Sequence, residues 1–210
     1  GTDDGIFQVS EDDGANWRKV ELGTISGLPS TAFVNNVYAD MHDEEVVYLA
    51  ADNHKYGDFK PYLYRSADKG KTWTNIGGNL PDRHLVWRVV QDHVDPTLLF
   101  AATELGVFYT KNGGSSWTKL SAGMPPIPIR DITIQRREND LVAASFGRGF
   151  FILDDYSSLR DIDKDLLDKE AYLFPVKDAD WYQPKSIVGT MGASYYTASN
   201  PASGATFTYF

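Results

Sequence analysis

Three copies of one short pattern constrain this chain more than anything else in it: Ser10-x-Asp12-x-Gly14-x-x-Trp17, Ser66-x-Asp68-x-Gly70-x-x-Trp73 and the variant Thr110-x-Asn112-x-Gly114-x-x-Trp117. The three tryptophans stand 56 and 44 positions apart, a period that suits one propeller blade per copy. A repeat of this length describes architecture before it describes chemistry.

Each position has a physical task in a tight hairpin. The side-chain oxygen at the third position accepts backbone N–H bonds inside the turn, and the glycine two residues on supplies a positive φ without Cβ strain. The hydroxyl at the first position ties the end of one strand to the loop, and the tryptophan is expected to fold back over the turn. Ser10, Asp12, Gly14, Trp17, Ser66, Asp68, Gly70, Trp73, Thr110, Asn112, Gly114 and Trp117 are therefore read as structural. A reaction centre needs one set of carboxylates, and here the same set recurs.

The boxes resemble the Asp-box, or BNR, repeats of sialidases, sortilin-type receptors, xyloglucan-cleaving enzymes and photosystem II stability and assembly factors. The run from Ala143 to Asp155, AASFGRGFFILDD, and the stretch from Ala51 to Tyr62 are similar to large bacterial sortilin-like (VPS10-like) exported proteins. The resemblance covers about residues 1 to 175. It implies an Asp-box propeller more firmly than an activity, and an extracytoplasmic location, periplasmic or secreted, where peripheral membrane association comes only through partners.

Composition agrees with a β-rich chain: 13% aromatic residues and 18 glycines among 210 suit short strands joined by turns. The formal charge of −9, with basic residues scattered, argues against nucleic acid as partner. No apolar run is long enough to span a bilayer. With no cysteine there is neither a disulfide framework nor thiol chemistry. No signal peptide is visible, as expected if the chain begins inside a blade and any leader lies upstream.

Aligning the units writes out the blade. An alternating strand such as 34–39 leads through an acidic turn to 46–51, and a third strand then runs into the box. The second unit repeats this at 86–90, 98–102 and 106–109, and the third at 129–134, 141–144 and 149–153, where the box is replaced by Asp154-Asp155-Tyr156. Residues 1–22 hold only the outer half of a blade. The fold class is thus all-β, a partial propeller of about three and a half four-stranded blades, whereas closed propellers use about 4 to 8. The missing part is expected from the remainder of a longer polypeptide or from other protein subunits.

The expected domains are the partial propeller at 1–156, a connector at 157–174 with a short helix over 159–167 capped by Ser157 or Ser158, and an aromatic-rich extension at 175–210. That extension resembles the entry to the immunoglobulin-like domain of sortilin-like proteins. Trp181, Tyr182, Tyr195, Tyr196, Phe207 and Tyr209 are candidate partner contacts, because so many aromatics on a tail need a surface to cover them.

Catalytic candidates are thin. Arg88, Arg130, Arg148 and several tyrosines nominally supply a sialidase-like set, but nothing in their spacing demands it, and Arg148 between two glycines reads as structural. The groups His42, Asp43, Glu44, Glu45 and His54, Asp58 fall in loops without spacing that would direct them onto a metal. No glycine-rich phosphate cradle or nucleophile elbow is present, so no cofactor is expected. The leading function is a noncatalytic exported interaction module, an accessory or scaffold subunit of an envelope or membrane-associated assembly. Alternatives are a glycoside hydrolase or carbohydrate-binding propeller, and a sortilin-like peptide-binding fragment.

Overall fold

The computed structural model describes residues 1–121, 123–179 and 204–210. Two compact units emerge, residues 1–156 and residues 157–210. The first holds β1 (Ile6–Val9), β2 (Arg18–Glu21), β3 (Phe33–Ala39), β4 (Val47–Asn53), β5 (Asp58–Ser66), β6 (Thr74–Asn75), β7 (Val86–Gln91), β8 (Leu99–Thr103), β9 (Gly106–Thr110), β10 (Thr118–Leu120), β11 (Ile129–Gln135), β12 (Asp140–Ser145) and β13 (Phe150–Leu153).

These strands form four antiparallel sheets in chain order, β1-β2, β3-β4-β5-β6, β7-β8-β9-β10 and β11-β12-β13. They are the half blade, two complete blades and a third with three strands, so the chain is a partial β-propeller. In the two complete blades the second strands, β4 and β8, are covered on both faces and read as continuous small and apolar runs, whereas β12 is buried only at alternate residues, Leu141 and Ala143. Every residue of β8, Leu-Phe-Ala-Ala-Thr, is buried. In β4, Tyr48 and Ala50 join one apolar cluster with Leu99, Ala101 and Phe108, while Leu49 and Ala51 join another with Phe7, Val20 and Leu22. Alternate residues of one strand thus cement the blade to its two neighbours.

Each innermost strand carries the same irregularity. Register shifts fall between Val34 and Asn36, between Val86 and Arg88, and between Ile129 and Asp131. One extra residue per blade, Asn35, Trp87 and Arg130 in turn, drops out of the ladder, as in a β-bulge. The first joins blade to blade, since Asn35 Nδ2 donates to the Val86 carbonyl at 2.8 Å.

Antiparallel pairing sends the loops alternately to the two ends of the blades. The acidic turns after β3, β7 and β11 share one end with the boxes. The β4–β5, β8–β9 and β12–β13 turns share the other with the connections between blades. At the box end, Tyr156 closes the three-stranded blade: its hydroxyl donates to Asp92 Oδ1 at 2.6 Å, and its ring meets Phe100 edge-on at 5.0 Å. Both partners belong to the preceding blade.

The connector differs from the sequence expectation. A 3-10 turn covers Tyr156–Arg160, and the α-helix α1 is a single turn, Lys164–Leu167, capped by Asp163 rather than by Ser157 or Ser158. The Asp163 carboxylate accepts from the Leu166 N–H at 2.7 Å, the hydrogen bond of an N-terminal cap. Within the second unit, Tyr172 and Phe210 exchange backbone hydrogen bonds at 3.0 and 3.1 Å, and Phe174 N–H donates to the Thr208 carbonyl at 3.0 Å. No helix among the described residues is long and apolar enough to cross a membrane.

Candidate functional site

The structure places all three boxes in β-turns that follow third strands. Ser10 Oγ accepts from Gly14 N–H at 2.7 Å, Ser66 Oγ from Gly70 N–H at 2.8 Å and Thr110 Oγ1 from Gly114 N–H at 3.1 Å. Asp12 Oδ1 accepts from Asn16 N–H at 2.8 Å, Asp68 Oδ1 from Thr72 N–H at 2.8 Å and Asn112 Oδ1 from Ser116 N–H at 2.9 Å. Hydrogen bonds from the Thr72 hydroxyl and amide hold the Asp68 carboxyl well below the usual carboxylate range, and those from Asn16 lower Asp12. These oxygens are engaged within their own turns.

The tryptophans part company with the expectation that each folds over its own turn. Trp17 does so, donating Nε1 to the Gly14 carbonyl at 3.0 Å, and it remains 60% exposed. Trp73 lies over Gly70 and also meets Phe7 of the preceding blade edge-on at 5.6 Å. Trp117 leaves its turn, is 5% exposed, and donates Nε1 to the Ile76 carbonyl of the preceding blade at 2.7 Å. Asn79 clamps it, accepting from Trp117 N–H at 2.7 Å and donating to its carbonyl at 2.9 Å. Arg18 likewise reaches the next blade and donates to the Gly70 carbonyl at 3.2 Å. The boxes fasten blade to blade.

A different site lies at the opposite end. His54, Phe59, Arg83, Leu85, Trp87, Glu104, Leu105 and Arg130 line a cleft of about 360 Å³ built from three consecutive blades. At its centre the Arg130 guanidinium lies 3.7 Å from the centre of the Trp87 ring, a separation at which cation–π attraction is strong. Trp87 Nε1 donates to Glu104 Oε2 at 2.9 Å, and Arg130 comes within 3.7 Å of the same oxygen. The His54 ring stands edge-on to Trp87 at 6.0 Å and pairs with the buried Asp52 carboxylate. At the rim Arg83, held at a φ of 67°, covers the Phe59 ring at 5.5 Å, and Phe146 lies 5.3 Å from the Arg130 guanidinium.

Two bulged residues make this cleft. Trp87 and Arg130 occupy the same irregular position of successive inner strands, which frees both side chains from the alternation and turns them toward one another. Sequence reasoning singled out Arg130 only for a sialidase-like set and did not mark Trp87. The signal was the alignment of the inner strands, where both fall one residue after a buried aliphatic, Val86 or Ile129.

The remaining candidates do not gather here. Arg88 pairs with Asp131 at 3.0 Å, and Arg148 is exposed between two glycines in left-handed conformation. His42 Nε2 lies 2.9 Å from the Asp92 carbonyl, and Asp58 accepts from the Tyr62 hydroxyl at 2.5 Å. Among the described residues no three His, Asp or Glu side chains are grouped to hold a metal. Phe207 and Tyr209 are exposed. Trp181, Tyr182, Tyr195 and Tyr196 lie outside the described residues.

No protein-family model and no curated protein matches the sequence. Solved structures do. YCF48 bound to a D1 peptide is 15% identical with a TM-score of 0.52, over 74% of this chain and 45% of that one. The major allergen Mala s 1 of Malassezia sympodialis is 13% identical with a TM-score of 0.51, over 74% and 55%. An ancestral GH74 enzyme is 25% identical over 55% of this chain and 14% of its own, at a TM-score of 0.45 on which nothing further rests. The chain spans about half the length of the first two. These likenesses speak for the fold alone, that of a partial β-propeller.

Proposed function

We propose that this chain is a noncatalytic interaction module that holds a protein partner in the Trp87–Arg130 cleft. In this reading it is an Asp-box propeller segment akin to the sortilin-like exported proteins. It works outside the cytoplasm as an accessory or scaffold subunit of an envelope or membrane-associated assembly. The partner is another subunit or a further part of the same polypeptide.

The stack of Arg130 on Trp87, anchored by Glu104, carries the proposal. Its groups are already ordered by one another, so a ligand that meets them avoids much of the cost of fixing long side chains. Trp and Arg are also the side chains that most often dominate binding energy in protein interfaces. The nearby carboxylates are engaged, Glu104 by Trp87 and Arg130, Asp52 by His54. Exposed Phe59 and Phe146 at the rim and Phe207 and Tyr209 in the second unit are apolar surfaces suited to a partner. That YCF48 holds a peptide on a fold of this kind is consistent with the proposal.

The test is cross-linking of the purified chain to envelope proteins of its source cells, comparing wild type with Trp87→Ala and Arg130→Glu. Partners captured by the wild type and lost from both folded variants support the proposal, and an unchanged set refutes it. The same exposed aromatics favour one alternative, stacking on sugar rings. Binding to a glycan array that disappears in Trp87→Ala, without capture of any protein, would establish that alternative.

A further inference from the structure

The box tryptophans define a position that is filled twice and, among the described residues, left open once. Between the two complete blades, Trp117 shares one buried cluster with Ile76, Leu80, Leu99, Ala101 and Phe108. Moving one repeat along, the equivalents of those five are Leu120, Met124, Leu141, Ala143 and Phe151. Leu120 follows Trp117 by three residues as Ile76 follows Trp73, and β12 and β13 align with β8 and β9. All five line a single apolar cavity of about 70 Å³, together with Ile152 and Leu153. There the chain has Asp154-Asp155 where a box would begin.

The sheet is open at the same place. β5 and β9 each pair with a fourth strand that starts directly after a box tryptophan, β6 after Trp73 and β10 after Trp117. β13 pairs with β12 on one side and, among the described residues, with no strand on the other. Phe150 and Ile152 in it are 75% and 60% exposed. An unpaired strand edge is a template for strand addition.

We propose that the outer edge of β13 and this cavity form a docking site for an extended segment of a partner protein that carries an aromatic side chain, indole by preference. The segment adds as the fourth strand of the blade and its ring enters the cavity toward Leu120, repeating the interface that Trp117 makes with the blade before it. The Leu120 carbonyl is the repeat equivalent of the Ile76 carbonyl that accepts the Trp117 N–H. A volume of about 70 Å³ is below the ~150 Å³ of a dry cavity that admits benzene. Entry therefore displaces Met124, an unbranched side chain that repacks readily. Among the described residues the fourth strands β2, β6 and β10 are each already paired within their own sheets, so none of them serves as the added strand of a second copy. The site is separate from the Trp87–Arg130 cleft and does not depend on it.

The test uses a labelled peptide with the sequence of residues 112–121, which contains the chain's own box tryptophan and fourth strand. It is titrated against the full chain by fluorescence anisotropy. Saturable binding is expected, weakened at least about tenfold when the peptide tryptophan is changed to alanine. The same loss is expected when the cavity is filled by Ala143→Leu or, from the surface, by Met124→Trp, and bound peptide should slow amide exchange in β13. No binding at about 1 mM peptide, equal binding of the alanine peptide, or unchanged binding by both folded variants would overturn the proposal. So would concentration-dependent self-association of the chain that Met124→Trp abolishes, since a second copy would then be the occupant.

Discussion

Replacing each box tryptophan by alanine should have three different consequences. Trp117 is buried, packs into the preceding blade and donates to the Ile76 carbonyl. Truncating a buried tryptophan costs about 3–5 kcal/mol, and here an acceptor is stranded as well. Trp17 is 60% exposed and bonds only its own turn, so Trp17→Ala falls near the ~0.5 kcal/mol of ordinary surface changes. Trp73 should fall between: it packs on Phe7, but among the described residues its buried Nε1 has no acceptor. Urea unfolding followed by circular dichroism reads the order directly. With a slope of about 2 kcal/mol/M, a loss of about 4 kcal/mol lowers the midpoint by about 2 M. A Trp17→Ala variant as damaged as Trp117→Ala would refute the claim that these residues stabilise by bridging blades. The hydrogen bond can be isolated too, since Trp117→Phe should cost more than Trp73→Phe.

The glycine of the third box should resist substitution. Gly114 has a φ of 94°, and an added Cβ would lie 2.8 Å from Ile76 Cβ, whereas nothing stands within 4 Å of Gly113. Gly114→Ala should therefore lower the thermal midpoint clearly more than Gly113→Ala, whose penalty is the left-handed backbone alone, about 1 kcal/mol. Asn79→Ala removes both hydrogen bonds to the Trp117 backbone and should destabilise by about 1–3 kcal/mol in the same urea assay. Acid should loosen the boxes unequally. Asp68 is depressed below 3.8 by the Thr72 hydroxyl and amide, so its contribution is whole above that value and fades as pH falls toward the folded pKa. In acid titration, Asp68→Asn should flatten the stability loss below about pH 4, while Asn112→Ala should leave its pH dependence unchanged.

What the sequence revealed and what it hid have one physical origin. The boxes and buried strands are local, and each carries its function in a run of under ten residues: Leu98 to Ala102 must be interior, and Asp68 finds its donors within four positions. The cleft is not local. Trp87 and Arg130 meet only because two inner strands lie side by side, each with one residue out of register, and an irregular residue in an apolar strand looks like ordinary alternation noise. The connector helix begins later than the serines at 157 and 158 suggest, at Lys164, where Asp163 makes the cap hydrogen bond. Trp117 reached past its own turn for the same reason that the cleft was missed: its partner, Ile76, stands 41 residues away.

The repeated bulge has a consequence for how such a molecule can change. Residues 87 and 130 each sit outside the backbone ladder of their strand, so a mutation there alters what that end of the blades displays without removing a ladder bond beneath it, whereas residue 35 also ties its blade to the next. Exchanging Trp87 or Arg130 should therefore change the side chains that line the cleft one blade at a time, much as a type slug is changed in a fixed frame.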